Sequence, residues 1–316
     1  MSQFDFNIYG KMEQKIYAPI HPDTDTGDWV LVEKIHGANV SFSYDGTNWR
    51  LGKRSGFITQ EEQKSFYGID EAFRPYISNL QLVADTVCYE SGKDLRTGDH
   101  TVYVYGELYG KIPDSGKSIQ KGVNYTDTGA VAFFDIMVDG EYISYEDTVR
   151  ICTIHQIPLA PEIRRGTLDE LLTYDVEEQF SMVPRVLHNQ PVDDAPCEGV
   201  ILRSLDDNRR FKWKKAQYME RPPKRGPLDT NTLETCISYM NDLRLASYVS
   251  KVGPDVILDR SYFPNNMKAL VDDVHEDIKE DHYSVYEDSR SMAYLNKELK
   301  TRAAQLLNDY IAENTL

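Results

Sequence analysis

The chain lacks the features of membrane, secreted and metal-scaffold proteins. No apolar run approaches the roughly 18 residues that a bilayer span needs, and the N-terminus has neither the basic start nor the apolar core of a secretory signal. The four cysteines lie far apart without a Cys-x-x-Cys pair, which argues against a zinc site and against a disulfide framework. We therefore expect packed free thiols, no membrane attachment and a cytoplasmic location.

Positive charge is also scarce, since 35 Lys and Arg residues stand against 51 Asp and Glu residues, for a net charge of −16. Binding to a nucleic-acid backbone normally requires a basic face. The basic residues are unevenly distributed: residues 202–225 carry nine basic and three acidic side chains, whereas residues 226–316 carry nine and sixteen. The strand-like pattern of the basic segment favours a binding face over a merely solvated one.

Lys34 is the centre of the candidate chemistry. Residues 29–32 predict a half-buried strand leading into residues 33–39 (Glu-Lys-Ile-His-Gly-Ala-Asn), and residues 40–44 predict a strand leading out. Asp45-Gly46 then indicates a two-residue hairpin turn. A lysine at such a corner can be a nucleophile where burial and nearby cations favour its neutral form. A surface lysine beside a turn would show the same short pattern, so the assignment depends on the motifs that follow.

Two further strand-like segments carry charges suited to a nucleotide or a phosphate. Lys53 and Arg54 stand at a strand end before Ser-Gly, where an ammonium and a guanidinium can hold a phosphate. Glu107 lies between two glycines in residues 101–110, which indicates that something approaches this backbone closely. Such a carboxylate can pair with a cation, accept from a sugar hydroxyl or contact a metal-bound water.

The later strands supply an aromatic ring, another acid and two lysines. Phe134 lies in a near-continuous apolar strand, residues 130–138, where it is either a core aromatic or a platform for a base. Glu198 opens the next predicted strand. Lys212 and Lys214 follow on one face of another strand by the period of two, where they repel each other unless an anion lies between them.

The periodicity changes along the 316 residues, which are enough for two domains. Residues 1–220 are rich in strand patterns, although residues 1–28 read as irregular and residues 145–181 as helix and loop. Residues 221–228 are a linker by their proline content. Residues 229–316 have helical spacing of apolar positions, with Pro264 placed to begin a helix and Gly253 to end one.

Six segments occur in the order EKIHGAN, KRSG, YGELYG, FFDI, EGVILR and FKWKK. This order resembles the covalent nucleotidyltransferases, the superfamily of ligases and capping enzymes. The histidine of Lys-Ile-His-Gly and residues 118–125 (SIQKGVNY) look like the RNA ligase 2 family. These are phage-type enzymes that seal nicks in double-stranded RNA, and the trypanosome RNA-editing ligases are related to them. Ala38 departs from the pattern, since a hydroxyl residue is common there.

The resemblance implies an α+β fold. It consists of a nucleotidyltransferase (ATP-grasp-like ligase) domain of antiparallel sheets with flanking helices, followed by a small all-α C-terminal domain. Residues 248–254 (YVSKVGP) resemble the C-terminal domain of the phage enzymes, whose role is to engage an RNA end. A phage-encoded chain would act in the host cytoplasm.

The resemblance also implies the reaction. An ATP-dependent RNA ligase of this family joins 3′-OH and 5′-phosphate ends, preferentially at nicks in duplex RNA, through a lysyl-AMP on Lys34 and an AMP-capped 5′ end. Its cofactors would be ATP and Mg²⁺, with Mn²⁺ as an alternative metal. Its partner would be nicked double-stranded RNA, or an RNA:DNA hybrid with RNA on the 3′-OH side, and we expect a monomer.

Roles carried over from the matching motifs follow in three groups. The catalytic residues would be Lys34, His36, Arg54, Glu198, Lys212 and Lys214. The nucleotide would be bound by Glu33, Lys34, Asn39, Arg54, Glu107, Phe134, Glu198, Lys212 and Lys214. RNA would be bound by Lys53, Gln120, Arg244 and Asp273. Among these, Phe134 is expected to stack on adenine and Glu107 to contact the ribose, and Glu198 and Glu107 are expected to reach the metal through water.

Three other interpretations share part of the pattern. An mRNA-capping guanylyltransferase would take its nucleotide from GTP instead of ATP. A DNA ligase should carry an OB-fold after the core, whereas residues 229–316 have a helical pattern. A catalytically inactive duplex-RNA-binding protein would keep the fold without acquiring covalent AMP.

Overall fold

The computed structural model describes residues 6–14, 25–191, 194–218, 232–282, 285 and 289–315. The chain divides into two compact units, residues 1–215 and residues 216–316. The predicted linker, residues 221–228, lies outside the described residues. The division at residue 215 comes five residues before the end of the predicted first domain.

The described part of the first unit contains all the described strands and six α-helices. The strands are β1 (Glu13–Gln14), β2 (Asp28–Lys34), β3 (Ala38–Tyr44), β4 (Trp49–Lys53), β5 (Gly56–Phe57), β6 (Val102–Tyr109), β7 (Ala130–Val138), β8 (Glu141–Tyr142), β9 (Glu162–Thr167), β10 (Gly199–Ser204) and β11 (Arg210–Lys214). The helices are α1 (Glu62–Ser65), α2 (Ile69–Phe73), α3 (Ile77–Glu90), α4 (Tyr145–Ile154), α5 (Leu168–Leu172) and α6 (Val183–His188).

The described strands form two sheets. The first has the order β1-β11-β10-β2-β9 and the second the order β5-β4-β3-β6-β7-β8. All described pairings are antiparallel except that of β1 with β11, which is parallel. The α+β architecture with antiparallel sheets is therefore confirmed, with this one pair as an exception. Strands β2 and β3 are consecutive in the chain but belong to different sheets, so residues 35–37 cross from one sheet to the other.

The strand that leads into Lys34 is buried on both faces, so its prediction as half-buried is wrong. The side chains of residues 29–32 are at most 3% exposed. Val30 and Val32 pack into one apolar cluster, whereas Trp29 and Leu31 pack into another on the opposite face. Elements distant in sequence cover both faces of this sheet, and the local pattern of the strand carries no information about them.

The turn after β3 is a hairpin, as predicted, but its loop is longer than two residues. Tyr44 pairs with Trp49, so residues 45–48 form a four-residue loop. The Asp45 carboxylate accepts hydrogen bonds from the backbone N–H groups of Thr47, at 2.8 Å, and Asn48, at 2.6 Å. An aspartate that bonds to its own following backbone stabilises this wider turn.

The sequence patterns do not predict several of the strands, among them β1 and β9. β9 lies within residues 145–181, and β1 lies within the predicted irregular lead-in. β9 is an edge strand whose side chains are mostly exposed, and it contains two arginines and a glycine. Because only one side of an edge strand pairs and neither face is well covered, it lacks the apolar alternation that marks other strands.

The second unit is helical in its described part, as predicted. Its helices are α7 (Thr232–Ser238), α8 (Asp242–Val252), α9 (Pro254–Leu258), α10 (Phe263–Asp281) and α11 (Ser289–Asn314). Pro264 lies in the first turn of α10 and Gly253 caps the end of α8, as expected from their positions in the pattern. Leu270, Val274 and Leu299 are fully buried in one apolar cluster of this unit.

All four cysteines are buried free thiols. In the described residues, no helix combines the length and the apolar composition required to cross a bilayer.

Candidate active site

Three adjacent strands of the first sheet bring two lysines to either side of one backbone position. Gly199, at the start of β10, pairs with Lys34 at the end of β2 and with Lys214 at the end of β11. A Cβ at residue 199 would lie 2.2 Å from the carbonyl oxygen of Trp213, so only glycine permits β11 to approach this closely. Strand register therefore places Glu198, the preceding residue, between the two lysines.

The Glu198 carboxylate is the centre of the site. Its Oε2 accepts from Lys34 Nζ at 2.6 Å, its Oε1 lies 2.8 Å from Lys214 Nζ, and His36 Nδ1 is 3.3 Å from Oε2. Burial alone would raise the pKa of this carboxyl, but the charges of Lys214 and Lys34 hold it well below its usual range. Glu198 is therefore an ionised acceptor that fixes two cations, not a proton donor.

Glu107 on β6 is a second carboxylate in the electrostatic neighbourhood of Lys34. Its pKa is raised to about 7, mainly by burial and also by the charge of Glu198, against the opposite effects of Lys34, a Gly37 N–H hydrogen bond and Arg54. Asn39 pairs with Glu107 across β3 and β6. Lys34, Glu107, Glu198 and Arg54 thus lie close enough to influence one another, as the assigned motifs require.

The connection between β2 and β3 is held by the loop that follows β6. Gln120 is 7% exposed, and its Nε2 donates to the Gly37 carbonyl at 2.7 Å. The buried Tyr125 hydroxyl accepts from the His36 backbone N–H at 3.3 Å. Gln120 was expected to bind RNA, and here its amide contacts the backbone beside Lys34. Tyr125 was not singled out, although it lies in the quoted stretch 118–125.

Phe134 lies on β7, partly buried, with its ring edge-to-face against Tyr9 at a centroid distance of 5.2 Å. The next residue, Asp135, is buried and accepts from Tyr9 at 2.5 Å, Arg203 at 2.7 Å and Arg210 at 2.6 Å. This network ties β7 to β10 and β11 across the two sheets. The sequence did not predict this network, because its members come from four separate segments and none is unusual alone.

Glu33 lies on the opposite face of β2 from Lys34, as alternation along a strand requires. Its buried carboxylate accepts from the Ser181 hydroxyl and from the Met182 N–H, the latter at 2.7 Å. Burial raises its pKa to about 7 although these hydrogen bonds act in the opposite direction. The structure therefore separates the Glu33 side chain from the other predicted nucleotide-binding groups.

Two further lysines that were predicted to bind nucleotide or RNA, Lys53 and Lys212, have different surroundings. Lys53 Nζ is 2.8 Å from Glu62 Oε1 and 5.6 Å from the centre of the Phe66 ring. Lys212 is partly buried on β11, two residues before Lys214 and so on the same face of the strand.

Arg244 and Asp273 belong to the second unit, where they contact each other. The Arg244 guanidinium is 2% exposed and also donates to Asp277 at 2.5 Å. The two residues predicted to engage a 5′ end therefore form an ion pair between α8 and α10.

The site suits a metal ion that keeps most of its water. In the described part of the chain, no group of three or more His, Cys, Asp or Glu side chains is arranged to hold a metal. Glu198 and Glu107 are the carboxylates beside Lys34. Mg²⁺ usually binds one or two carboxylates together with waters and substrate phosphates, so this donor set fits it.

Comparisons with known proteins point to the same family as the sequence motifs. A family model described as RNA ligase matches residues 27–214, which include Lys34, Glu107, Glu198 and Lys214. RNA-editing ligase 1 of Trypanosoma brucei brucei, named as mitochondrial, is 25% identical over 249 residues, which cover 64% of this chain and 51% of the relative. RNA-editing ligase 2, also named as mitochondrial, is 23% identical over 209 residues, covering 56% and 48%. This chain thus spans about half the length of the curated relatives it matches.

Solved structures of similar proteins include the RNA ligase of Naegleria gruberi with PPi, at 13% identity and a TM-score of 0.47, covering 68% of this chain and 57% of that one. A variant of the same ligase with ATP and Mn has the same identity and TM-score and covers 68% of this chain and 58% of that one.

The cytoplasmic location stays a prediction, because the curated relatives are named as mitochondrial. The family match covers more than half of the chain, and the protein therefore belongs to the RNA ligase family, as the motif order together with His36 and residues 118–125 predicted.

Proposed function

We propose that this protein is an ATP-dependent RNA ligase that seals nicks in duplex RNA through a covalent lysyl-AMP on Lys34. The observation that carries the proposal is the arrangement of Lys34 and Lys214 on the two oxygens of Glu198. One lysine is available as a nucleophile, the second as a charge for the phosphate under attack, and the acid between them fixes their separation.

In the first step, Lys34 Nζ attacks the α-phosphorus of ATP, a P–N bond forms, and pyrophosphate leaves. Lys34 must first lose its ammonium proton and its bond to Glu198. Lys214, and Lys212 on the same face of β11, would then neutralise the α-phosphate as charge develops there. Such phosphoryl-type transfers depend mainly on positioning and charge, because the protein supplies little covalent chemistry beyond the nucleophile.

In the second step, the 5′-phosphate of the nick attacks the lysyl-AMP, so AMP moves to the RNA and Lys34 is released. In the third, the RNA 3′-hydroxyl attacks that activated phosphate, a phosphodiester forms, and AMP leaves. Arg54, whose charge acts on the nearby Glu107 carboxylate, is suited to the incoming phosphate. We assign His36, Asn39 and Lys53 to these RNA-dependent steps.

The nucleotide itself would rest on Phe134 through its base and on Glu107 through its ribose. Arg203, which is paired with Asp135, donates to the Phe134 carbonyl at 3.1 Å and so holds the backbone of Phe134 in place. Glu198 and Glu107 would face the waters of a bound Mg²⁺ or Mn²⁺, which supplies neutralisation of the phosphates during transfer.

The proposal is tested by incubating the protein with α-labelled ATP and Mg²⁺ and separating it on a denaturing gel. We expect covalent label on the wild type and none on Lys34→Ala, because no other amine occupies the end of β2. The matched control is Lys93→Ala, which removes a lysine that is also paired with a carboxylate, Asp139 at 2.8 Å, but at the surface. Lys93→Ala should label as the wild type does.

Other outcomes would point to the other interpretations. Label retained by Lys34→Ala would remove Lys34 from the chemistry, and label taken from GTP instead of ATP would indicate a capping-type enzyme. Salt-dependent duplex binding without any label would indicate an inactive binding protein. Nicked duplexes with RNA or DNA on each side of the nick then define the substrate, and we expect sealing to require RNA on the 3′-OH side.

A further inference from the structure

The short connection between β2 and β3, residues 35–37, carries His36 and lies outside both sheet ladders. Its polar backbone groups therefore need other partners. The His36 N–H donates to the Tyr125 hydroxyl at 3.3 Å, and the Gly37 carbonyl accepts from Gln120 Nε2 at 2.7 Å. The Gly37 N–H donates to the Glu107 carboxylate. Three side chains thus anchor a connection of three residues.

The space around this connection is closed. Tyr125 is 1% and Gln120 7% exposed. A Cβ at residue 37 would lie 2.2 Å from the carbonyl oxygen of Leu108, so the backbone at this residue packs closely against β6. Burial holds the pKa of Tyr125 well above its ordinary value, and its oxygen therefore stays a neutral phenol that can accept the His36 N–H. A buried N–H that loses an acceptor is costly, so the connection would shift if the hydroxyl were absent.

The position of His36 matters because its ring reaches the centre of the site. His36 Nδ1 is 3.3 Å from Glu198 Oε2, the oxygen that Lys34 also contacts at 2.6 Å. The backbone between Lys34 and His36 fixes both contacts at once. A small displacement of residue 36 would therefore change how Glu198 is shared between a lysine and a histidine.

We propose that Tyr125 and Gln120 are positioning residues for ligation, which act by fixing residues 35–37 so that His36 faces Glu198. The effect on ligation rests on the proposed function. The anchoring of residues 35–37 by these side chains does not depend on it. It gives Gln120 a role through the backbone beside Lys34 in place of a contact with RNA. It also gives a role to Tyr125, which no motif assignment included.

The first experiment measures amide hydrogen exchange at His36, which reports the anchor whether or not the protein is active. Tyr125→Phe deletes one acceptor and keeps the ring. We expect exchange at His36 to rise about 10-fold or more, as for loss of one buried hydrogen bond, while amides in the middle of β2 and β3 stay unchanged. The matched control is Tyr109→Phe, whose ring stacks edge-to-face on Tyr125 but whose hydroxyl contacts His188. Unchanged exchange at His36 in Tyr125→Phe would overturn the inference.

The second experiment measures single-turnover sealing of pre-adenylylated nicked RNA. We expect Tyr125→Phe to slow sealing about 10-fold at saturating RNA, as for a misplaced catalytic group, with little change in the RNA concentration for half-maximal rate. In a His36→Ala background, Tyr125→Phe should cost nothing further, because the group that it positions is gone.

An equal loss in both backgrounds, or an equal loss in Tyr109→Phe, would show a general packing effect and would overturn the inference. Should a thermal melt show Tyr125→Phe unfolded, Gln120→Met removes a second of the three anchors and is assayed in the same way. A wild type that never seals RNA defeats the proposed function alone, since the exchange experiment still decides whether Tyr125 anchors His36.

Discussion

Two carboxylates near Lys34, the buried Glu198 and the partly buried Glu107, differ in the ionisation state that the protein favours. The pKa of Glu198 is held well below its usual range by two lysines, whereas burial raises that of Glu107 to about 7. The two pKa values differ because Glu198 contacts Lys34 and Lys214 directly, whereas Glu107 is influenced by charges farther away. Glu198 is therefore charged throughout the physiological range, and Glu107 changes charge near neutral pH.

At the residue scale, Glu33 should make stability depend on pH. Its pKa is raised from 4.5 to about 7 on folding, so the native state binds the proton more tightly than the unfolded state. The resulting stability is fully present below pH 4.5 and is lost as pH rises through 7. We expect the wild type to lose roughly 2 kcal/mol relative to Glu33→Gln between pH 5 and pH 8.

The measurement is urea unfolding of both proteins at several pH values. In the difference between the two unfolding free energies, the contributions of the other titrating groups cancel. Glu33→Gln keeps an acceptor for the Met182 N–H and cannot ionise. A difference in unfolding free energy that stays constant with pH would contradict the raised pKa of Glu33.

At the scale of elements, the site depends on how closely β11 approaches β10. We expect Gly199→Ala to lower the melting temperature and to reduce labelling of Lys34 about 10-fold or more, because the new Cβ would displace β11 and separate Lys214 from Glu198. Gly129→Ala is the matched control, since a Cβ there would meet its nearest neighbour at an ordinary 3.5 Å. Labelling of Gly199→Ala at the wild-type rate would show that β10 and β11 tolerate a wider spacing.

At the scale of the whole molecule, the described apolar clusters are each confined to one unit, so residues 1–218 should fold without the rest. We expect this fragment to acquire AMP on Lys34 at nearly the full rate, because Glu198, Glu107 and Lys214 are all present. Sealing of nicked RNA should fall about 10-fold or more, because the predicted end-binding pair Arg244 and Asp273 is removed. Labelling and sealing are compared with the full chain in the same buffer.

A fragment that seals at the full rate would show that the second unit is dispensable for nick recognition. A fragment without a cooperative thermal transition would instead show that the first unit needs its neighbour to fold. The same assays repeated at increasing salt test how a chain of net charge −16 binds RNA, since phosphate contacts weaken steeply with salt.

The sequence by itself determined the α+β class, most strands of the first unit and the helical second unit, and it predicts Lys34 as the centre of the chemistry. These features are local: alternation marks a strand, helical spacing marks a helix, and six short motifs in order mark a family. Tertiary structure alone decided which side chains meet. The Glu198 contacts depend on the register of three strands, and the Tyr125 contact joins residues 89 positions apart. Elements distant in sequence also decided the burial of both faces of β2 and the pairing of β1 and β9. The local sequence of a strand does not show which other elements pack against it or pair with it.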